Sequence, residues 1–198
     1  MLYPDLKFPK PPKYRPFFYT NFVSTVDGKV AVKKKGYWPI GSRLDYQVLT
    51  ELRAYADCLI HGGNLAREFG RQTRASLKKV QFKNLRQKLG KDPILPYFIV
   101  SNDPSVGEKF ETAVKTLKEK CYKHVLVEGG PTLLGSFLRS NLIDEIFLTI
   151  SPKIFGSKKN LSLTLAEGYL FPPKATKILK LLSVKQLGNE LYLRYQVR

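Results

Sequence analysis

The chain has 198 residues, which is enough for one substantial domain with a full hydrophobic core. Its hydrophobic content of 43% and charged content of 25% are ordinary for a globular protein. No apolar run approaches the roughly 20 residues that a membrane span requires. Residues 1–16 contain five prolines and no apolar signal core. We therefore predict an extended lead at 1–16 and not a secretory signal.

Positive charge dominates the composition. Lysine and arginine number 34 against 16 acidic residues, a formal net charge of +18. Such a field attracts polyanions, including nucleic acid, acidic membranes and phosphorylated metabolites. The cations are spread along the chain, however, and neither a zinc-finger spacing nor an aromatic RNA-binding motif is present. We interpret the charge as a basic solvated surface and do not expect nucleic acid as a partner.

The histidines and cysteines give little sign of a metal site. Cys58 and Cys121 each adjoin an apolar, strand-like run, which favours two buried thiols in a reducing cytoplasm over a disulfide. His61 and His124 end or begin such runs without the spacing of metal ligands. We predict no metal centre.

The first part of the chain predicts a strand, a helix and a second strand. Phe17 to Val26 is rich in aromatic and β-branched residues, as strands are, and Asp27-Gly28 predicts a turn after it. Ser42 is a suitable N-cap, and apolar residues then recur at helical spacing as far as Asp57. Cys58 to His61 predicts a short buried strand.

Alternation of strands and helices continues to a terminal hairpin. Ser105 to Glu108 has the form of a capping box, so a helix is expected from there to Lys120. Gly188-Asn189 predicts the turn of the hairpin. The other expected elements are a weakly helical stretch at 65–89, strands at 97–101, 124–127, 145–150, 177–187 and 191–197, and a helix at 131–140.

This order predicts one α/β domain, residues 17–198. Strands that alternate with helices favour a mostly parallel central sheet flanked by helices, and the final hairpin adds an antiparallel C-terminal edge.

The segment from Val125 to Leu134 is the most informative. Three apolar residues end in Glu128, and Gly129 and Gly130 then remove side chains where the backbone must approach something closely. Pro131 suits the first turn of a helix, whose free N–H groups attract phosphate. Ligands of open α/β sheets bind at the carboxyl ends of the strands, so we expect Glu128 to lie beside a phosphorylated ligand.

Several segments, in order, resemble the pyrimidine reductase of riboflavin biosynthesis, a family with a dihydrofolate reductase-like fold. The resemblance covers about residues 17–198. It is carried by Asn21-Phe-Val-Ser-Thr-Val-Asp-Gly-Lys29, Leu52-Arg53 with Asp57-Cys-Leu-Ile-His-Gly-Gly63, Val127-Glu-Gly-Gly-Pro-Thr-Leu133, Leu142-Ile-Asp-Glu-Ile146 and Ser151-Pro-Lys-Ile-Phe-Gly156.

The resemblance implies an enzyme that uses NADPH to reduce a phosphorylated ribosylamino-pyrimidine to its ribitylamino form. Some members also carry a zinc deaminase domain, but this sequence contains neither its Pro-Cys-x-x-Cys nor its His-x-Glu motif. Asn21 stands where the bifunctional bacterial proteins have lysine and is similar to the stand-alone archaeal reductases, which act before deamination. The resemblance also implies a cytoplasmic homodimer built partly on the C-terminal strands.

The resemblance also implies roles for individual residues. Glu128 and Asn21 would serve the reacting centre, where a carboxylate stabilises the cation formed before reduction. Arg53, Ser42 and Arg74 would bind the substrate, with Arg53 gripping the phosphate; alternatively, Arg53 is a solvated helix-end arginine. The expected cofactor-binding residues are Ser24, Gly62, Gly63, Asn64, Ser101, Gly129, Gly130, Pro131, Thr132 and Leu133.

One region departs from the family. Its glycine loop usually continues Gly-Thr-Val and then Asp-Asp-Pro-x-Leu-Thr, whereas this chain reads Gly62-Gly-Asn-Leu-Ala-Arg-Glu-Phe-Gly-Arg-Gln-Thr73. In the family this region touches both cofactor and substrate, so Arg67, Arg71 or Arg74 is an alternative holder of the phosphate. Two other functions stay open: reduction of another heterocycle such as a pterin, and a non-catalytic, basic nucleic-acid-binding module.

Overall fold

The computed structural model describes residues 1–33, 38–158 and 161–198. By contacts the chain divides into two units, Met1–Phe18 with Val48–Gly130, and Tyr19–Gln47 with Pro131–Arg198. The elements are β1 (Phe17–Thr25), β2 (Ala31–Val32), α1 (Arg43–Tyr55), β3 (Cys58–Gly62), α2 (Gly63–Leu77), α3 (Val80–Lys88), β4 (Tyr97–Val100), α4 (Phe110–Glu119), β5 (His124–Glu128), α5 (Pro131–Arg139), β6 (Ile143–Ser151), β7 (Ser162–Leu163), a 3₁₀ turn (Pro173–Ala175), β8 (Leu179–Leu187) and β9 (Glu190–Val197).

Three parallel strands form the centre of the first unit, in the order β4-β3-β5. Every residue of β3 is buried, as expected for a parallel strand between two neighbours. His61 lies opposite both Ile99 and Glu128, so the three strands end at the same level. The predicted glycine turns and Ser101 therefore lie at one edge, formed by the carboxyl ends of the strands.

The second unit contains the antiparallel part of the fold. Its longer strands follow the order β1-β6-β9-β8, and β6, β9 and β8 pair antiparallel. Gly188 has a φ of +58° in the turn between β8 and β9, a conformation that glycine adopts without strain. The mostly parallel sheet with an antiparallel C-terminal hairpin is therefore confirmed. A small pairing of β2 with β7 was not predicted.

The N-terminal segment packs against the first unit. Tyr3 is buried, and the backbone N–H groups of Leu2 and Tyr3 each donate to the Glu51 carboxylate over 2.7 Å. The hydroxyl of Tyr55 donates to the carbonyl of Tyr3. A boundary at residue 17 stays a prediction, but residues 2 and 3 are tied to α1. None of the helices in the described residues is long and apolar enough to cross a membrane.

The predicted capping box at Ser105 is wrong, because α4 begins only at Phe110. The backbone of Glu108 is held extended, since its N–H donates to Ile99 and its carbonyl accepts from Ser101. The hydroxyl of Ser105 donates to Asp103 and does not cap a helix. The prediction of two buried thiols is half wrong: Cys58 is buried but Cys121 is exposed, and both are free.

Arg86 on α3 is almost wholly buried, at 1% exposure. Its guanidinium donates to the carbonyls of Ala56 and Asp92, both over 2.6 Å, and more weakly to those of Arg53, Ala54 and Ile94. The last carbonyls of a helix have no partner within the helix, and they carry its partial negative charge. Arg86 therefore fixes the end of α1 to α3.

We expect Arg86→Met to lower the free energy of unfolding by about 3 kcal/mol, because it leaves several buried carbonyls without donors. Urea unfolding followed by circular dichroism measures the loss. Lys88→Met, at an exposed position of the same helix, is the control and should cost well under 1 kcal/mol. Equal losses in the two variants would show that Arg86 does not hold the helix end.

Candidate active site

The predicted cofactor-binding residues of the first unit meet at the carboxyl ends of its three strands. Gly62 and Gly63 join β3 to α2, and Ser101 follows β4. A Cβ on Gly63 would lie 2.6 Å from the Ser101 hydroxyl, so only glycine lets α2 begin this close to the end of β4. The structure thus brings Gly63 and Ser101 into direct proximity. Strand β3, which leads into Gly63, lies between β4 and the strand that ends in Glu128.

A polar cluster extends this edge. The amide oxygen of Asn64 accepts from Arg67, and Arg67 also donates to the Asp103 carboxylate over 2.6 Å. The backbone N–H of Asp103 donates to the Ser101 hydroxyl. Hydrogen bonds from Ser105 and Arg67 lower the pKa of Asp103, so its carboxylate is ionised. The cluster offers an arginine and a hydroxyl side by side, near the N-terminus of α2.

The turn after β5 fits a phosphate. A Cβ on Gly130 would meet open space, so a ligand can approach the backbone there. Helix α5 begins at Pro131, and Thr132 and Leu133 contribute the free N–H groups of its first turn. A helix start beside a glycine turn is the usual site of a bound diphosphate. The backbone thus suits the group predicted from the sequence, while its binding stays a prediction.

Glu128, predicted to be catalytic, lies in a buried ion pair with Arg53. The Nε and Nη2 atoms of Arg53 donate to the two carboxylate oxygens over 2.7 and 2.5 Å. Both side chains are only 6% exposed. Burial raises the pKa of Glu128, but the Arg53 guanidinium outweighs burial and holds that pKa well below its usual range. Glu128 is therefore a permanent anion, oriented by a two-pronged pair.

His61 joins the same carboxylate. Its Nε2 lies 3.0 Å from the Oε2 atom of Glu128, and its Nδ1 lies 2.9 Å from the hydroxyl of Tyr97. An ionised carboxylate only accepts, so Nε2 carries a proton. In the neutral imidazole Nδ1 then accepts from Tyr97. The result is a hydrogen-bond chain that runs from Tyr97 through His61 to Glu128.

The sequence reasoning missed this chain. It treated His61 as a strand-end residue and assigned Tyr97 no role. The pairing of β3 with β5 reveals the contact, since it places His61 opposite Glu128 on the neighbouring strand. Within the described residues, no cluster of histidine, cysteine or carboxylate groups could hold a metal ion. The absence of a metal from the protein stays a prediction.

Arg74, predicted to bind the substrate, lies away from the carboxyl edge. Its guanidinium stacks over the Tyr97 ring at 4.9 Å, and with Arg71 it lines a pocket beside α2. Arg53 is committed to Glu128 by two donors. Substrate binding by Arg53 or Arg74 stays a prediction; Arg67, the third alternative, is paired with Asp103.

Among the predicted site residues of the second unit, Asn21 has an unpartnered side-chain atom, whereas Ser24 and Ser42 form hydrogen bonds. The amide oxygen of Asn21 is buried and has no hydrogen-bond partner among the residues that the structure describes. A buried polar atom without a protein partner is costly, so this oxygen is open to a donor from a ligand or a water molecule. Ser24 is buried, with its hydroxyl donating to the carbonyl of Thr25. Ser42 is confirmed as the N-cap of α1, since its hydroxyl accepts from the N–H groups of residues 44 and 45.

Ser42, itself exposed, also contacts a buried acidic cluster. Its hydroxyl donates to Glu190, which accepts a second bond from Tyr192, both over 2.6 Å. Asp45 is buried nearby, and its Oδ1 has no partner in the described part of the chain. Burial raises the pKa of Asp45 to about 6, with the charge of Glu190 acting in the same direction.

Asp45→Asn should stabilise the protein near pH 7.5 and have little effect near pH 4. The folded pKa of Asp45 exceeds the ordinary value of 3.8, so folding takes up a proton between pH 4 and 6 and native stability falls as pH rises through that range. The gain at pH 7.5 is about 3 kcal/mol. Thermal unfolding of both proteins across pH 4–8 measures it; a difference that does not change with pH would contradict the burial of an ionisable Asp45.

Comparison with known proteins identifies the fold and the family. Residues 16–193 match the model of the RibD C-terminal domain family. A relative from Archaeoglobus fulgidus, a 2,5-diamino-6-ribosylamino-4(3H)-pyrimidinone 5′-phosphate reductase, is 22% identical over 83% of this chain and 93% of its own length.

Two solved structures are similar to the chain. A pyrimidine reductase-like protein from Corynebacterium diphtheriae is 18% identical, with 92% of each chain covered and a TM-score of 0.69. The dihydrofolate reductase of Enterococcus faecalis is 12% identical over 93% of this chain and 98% of its own, with a TM-score of 0.54. The predicted dihydrofolate reductase-like fold is confirmed, and because the family model spans most of the sequence, the chain belongs to the RibD C-terminal domain family.

Proposed function

We propose that the protein is an NADPH-dependent reductase of riboflavin biosynthesis that acts on 2,5-diamino-6-ribosylamino-4(3H)-pyrimidinone 5′-phosphate. The observation that carries the proposal is the shared edge at which β4, β3 and β5 end in Ser101, Gly62-Gly63 and Glu128-Gly129-Gly130. Three adjacent strand ends thus carry small residues or a carboxylate at the place where α/β sheets bind ligands. The Archaeoglobus relative, which aligns over nearly its whole length, is named for this reaction.

The cofactor end of the site consists of backbone groups and one arginine. Gly130, Thr132 and Leu133 would hold the diphosphate by their N–H groups, and Gly62, Gly63 and Asn64 would line the same cofactor. Ser101 would contact the ribose 2′-phosphate, and Arg67 would exchange its half-exposed pair with Asp103 for that phosphate, as NADPH in place of NADH requires. The Enterococcus dihydrofolate reductase, which shares the fold, is described with NADP(H) bound.

Gly130→Val should abolish NADPH binding and leave the fold intact. The side chain would fill the open space beside the backbone where we place the diphosphate. Fluorescence titration with NADPH measures affinity, and circular dichroism checks the fold. A folded variant with wild-type affinity would remove the turn after β5 from the cofactor site.

The reacting centre requires little chemistry from the protein. The nicotinamide of NADPH supplies the hydride when bound. Glu128 contributes a fixed negative charge for the cation that forms on the substrate as its ribose ring opens, and the charge is already oriented by Arg53. The unpartnered oxygen of Asn21 is an acceptor for an N–H or O–H group of the substrate. Ser24 and Ser42 are further candidate contacts.

Glu128→Gln should lower kcat at least a hundredfold and change NADPH affinity little, since the charge acts on the reacting centre and not on the cofactor. Steady-state assays measure turnover of the pyrimidinone phosphate with NADPH or with NADH. The wild type tests the proposed function, and the single variants test the role of each residue. Absence of turnover by the wild type with this substrate would contradict the proposed function.

Arg53→Ala separates two roles for that arginine. If Arg53 mainly grips the substrate phosphate, the KM of the substrate rises roughly ten- to hundredfold with kcat unchanged. If it orients and charges Glu128, as the bidentate pair indicates, kcat falls and a new ionisation of Glu128 enters the pH profile. We expect the second result; an unaltered kcat would contradict it.

We also propose a homodimer formed through the C-terminal strands. Strand β8 ends the strand order of the second unit and exposes Leu181, Leu182 and Val184 by 49%, 40% and 55%. An edge strand with exposed apolar residues is a template for pairing with another chain. Neither cysteine is paired in the structure, as suits the reducing cytoplasm in which we place the enzyme.

Val184→Arg should convert the dimer to a monomer at micromolar concentration, because it places charge in an apolar contact. Light scattering measures the mass. Val80→Arg is the matched control, since Val80 is 66% exposed at the start of α3 and does not belong to the C-terminal strands. A wild type that is itself monomeric, or a dimer unaffected by Val184→Arg, would contradict the proposal.

A further inference from the structure

A pocket of about 440 Å³ lies beside α2, in the first unit. Three cations line it, Arg71, Arg74 and Lys78, together with Tyr97 of β4. The lining residues, all within the described part of the chain, include no carboxylate. The cations recur at three- and four-residue spacing and so share one face of the helix. The volume falls within the range of small-molecule sites.

Small residues keep the pocket open. Gly70 is buried, and a Cβ there would lie 3.3 Å from the Tyr97 hydroxyl. Ala66 and Ala75 complete the lining on the helix side. The guanidinium carbon of Arg74 lies 4.9 Å from the centre of the Tyr97 ring, a cation–π contact. Neither Arg71 nor Lys78 forms an ion pair with a carboxylate of residues 1–33, 38–158 or 161–198.

The pocket is separate from the edge where we place cofactor and substrate. Helix α2 starts at that edge, and Arg71 and Lys78 lie about 12 and 22 Å further along its axis. Tyr97 is the first residue of β4, about 10 Å before its carboxyl end. Arg74 therefore covers the first residue of β4, while Ile99, two residues further along the strand, also lines the pocket.

We propose that this pocket is a second anion site, which binds a small phosphate-type anion, inorganic or carried by a metabolite, between Arg71, Arg74 and Lys78. Arginine forks match the geometry of phosphate oxygens, and three adjacent cations suit an anion of two or more charges. This assigns Arg74 a ligand other than the reductase substrate.

The pocket is joined to Glu128 by the buried hydrogen-bond chain. Tyr97 lies under Arg74, its hydroxyl reaches His61, and His61 reaches Glu128. An anion on Arg74 weakens the positive field over the phenol, and the hydroxyl then donates less strongly to His61. Occupancy of the pocket thereby alters the hydrogen bonding of Glu128. This coupling becomes regulation of turnover only if Glu128 serves the reaction as proposed above.

Isothermal titration with inorganic pyrophosphate and with inorganic phosphate, without cofactor or substrate, tests the site. We expect a saturable pyrophosphate site that persists in Gly130→Val, where the proposed cofactor site at the turn after β5 is filled, and that is weakened at least tenfold by Arg71→Gln or Arg74→Gln. Lys79→Gln is the matched control, because it removes the same charge one residue from Lys78 but outside the pocket. Phosphate binding as tight as that of pyrophosphate would identify the free ion as the ligand. Equal affinity in Arg74→Gln and Lys79→Gln would overturn the proposal, since it would show diffuse attraction by a basic surface.

The coupling between the pocket and Glu128 is measured separately, by the ¹⁵N NMR chemical shifts of the His61 ring. The chain contains two histidines, so a His124→Gln variant assigns those of His61. Pyrophosphate should shift them in the wild type, and Tyr97→Phe should abolish the shift while retaining pyrophosphate binding. Resonances that do not move at saturation would overturn the coupling. Because no turnover is measured, failure of the proposed reductase function would leave both results standing.

Discussion

The buried pair of Arg53 and Glu128 is the interaction on which the rest of the site depends. Removing two charges from water is costly, and the cost is recovered only when the geometry is good and the remaining donors and acceptors are satisfied. Here two parallel N–H···O bonds join the groups, and His61 occupies the same carboxylate. The pair ties α1 to β5 and fixes the direction of the carboxylate. A single arrangement therefore holds a structural contact and a candidate catalytic charge.

Arg86 supports that pair at the same, C-terminal end of α1. Its guanidinium binds the carbonyls of residues 53, 54 and 56, the end of the helix that carries Arg53. The position of the Arg53 side chain is thus set by its own pair and by a second arginine that holds its backbone. A positive group at a helix C-terminus is also favoured by the helix dipole. The two buried arginines thus differ in their partners: Arg53 pairs with a carboxylate, and Arg86 binds backbone carbonyls.

The sequence predicted most elements, because local signals and tertiary packing agree there. The apolar runs at Cys58 and Val125 became parallel strands, and Ser42 caps α1 as its position suggests. The capping box at Ser105 failed because backbone bonds to Ile99 and Ser101 hold Glu108 extended, a tertiary effect that no local pattern records. The same applies to Arg86, since arginine at a helical position is ordinarily a surface residue. The partners of Glu128 became visible only with the register that places His61 opposite it.

Helix α2 explains where this chain differs from its family. The family's Asp-Asp-Pro would interrupt a helix, because proline lacks an N–H and clashes with the preceding turn. Residues 63–77 contain no proline and form one continuous helix that begins at the glycine turn. A continuous helix carries Arg71 and Arg74 away from the carboxyl edge. It also brings Gly70 against the Tyr97 hydroxyl, the first link of the chain that ends at Glu128. A continuous helix over 63–77 thus places Arg71, Arg74 and Lys78 in one pocket beside Tyr97.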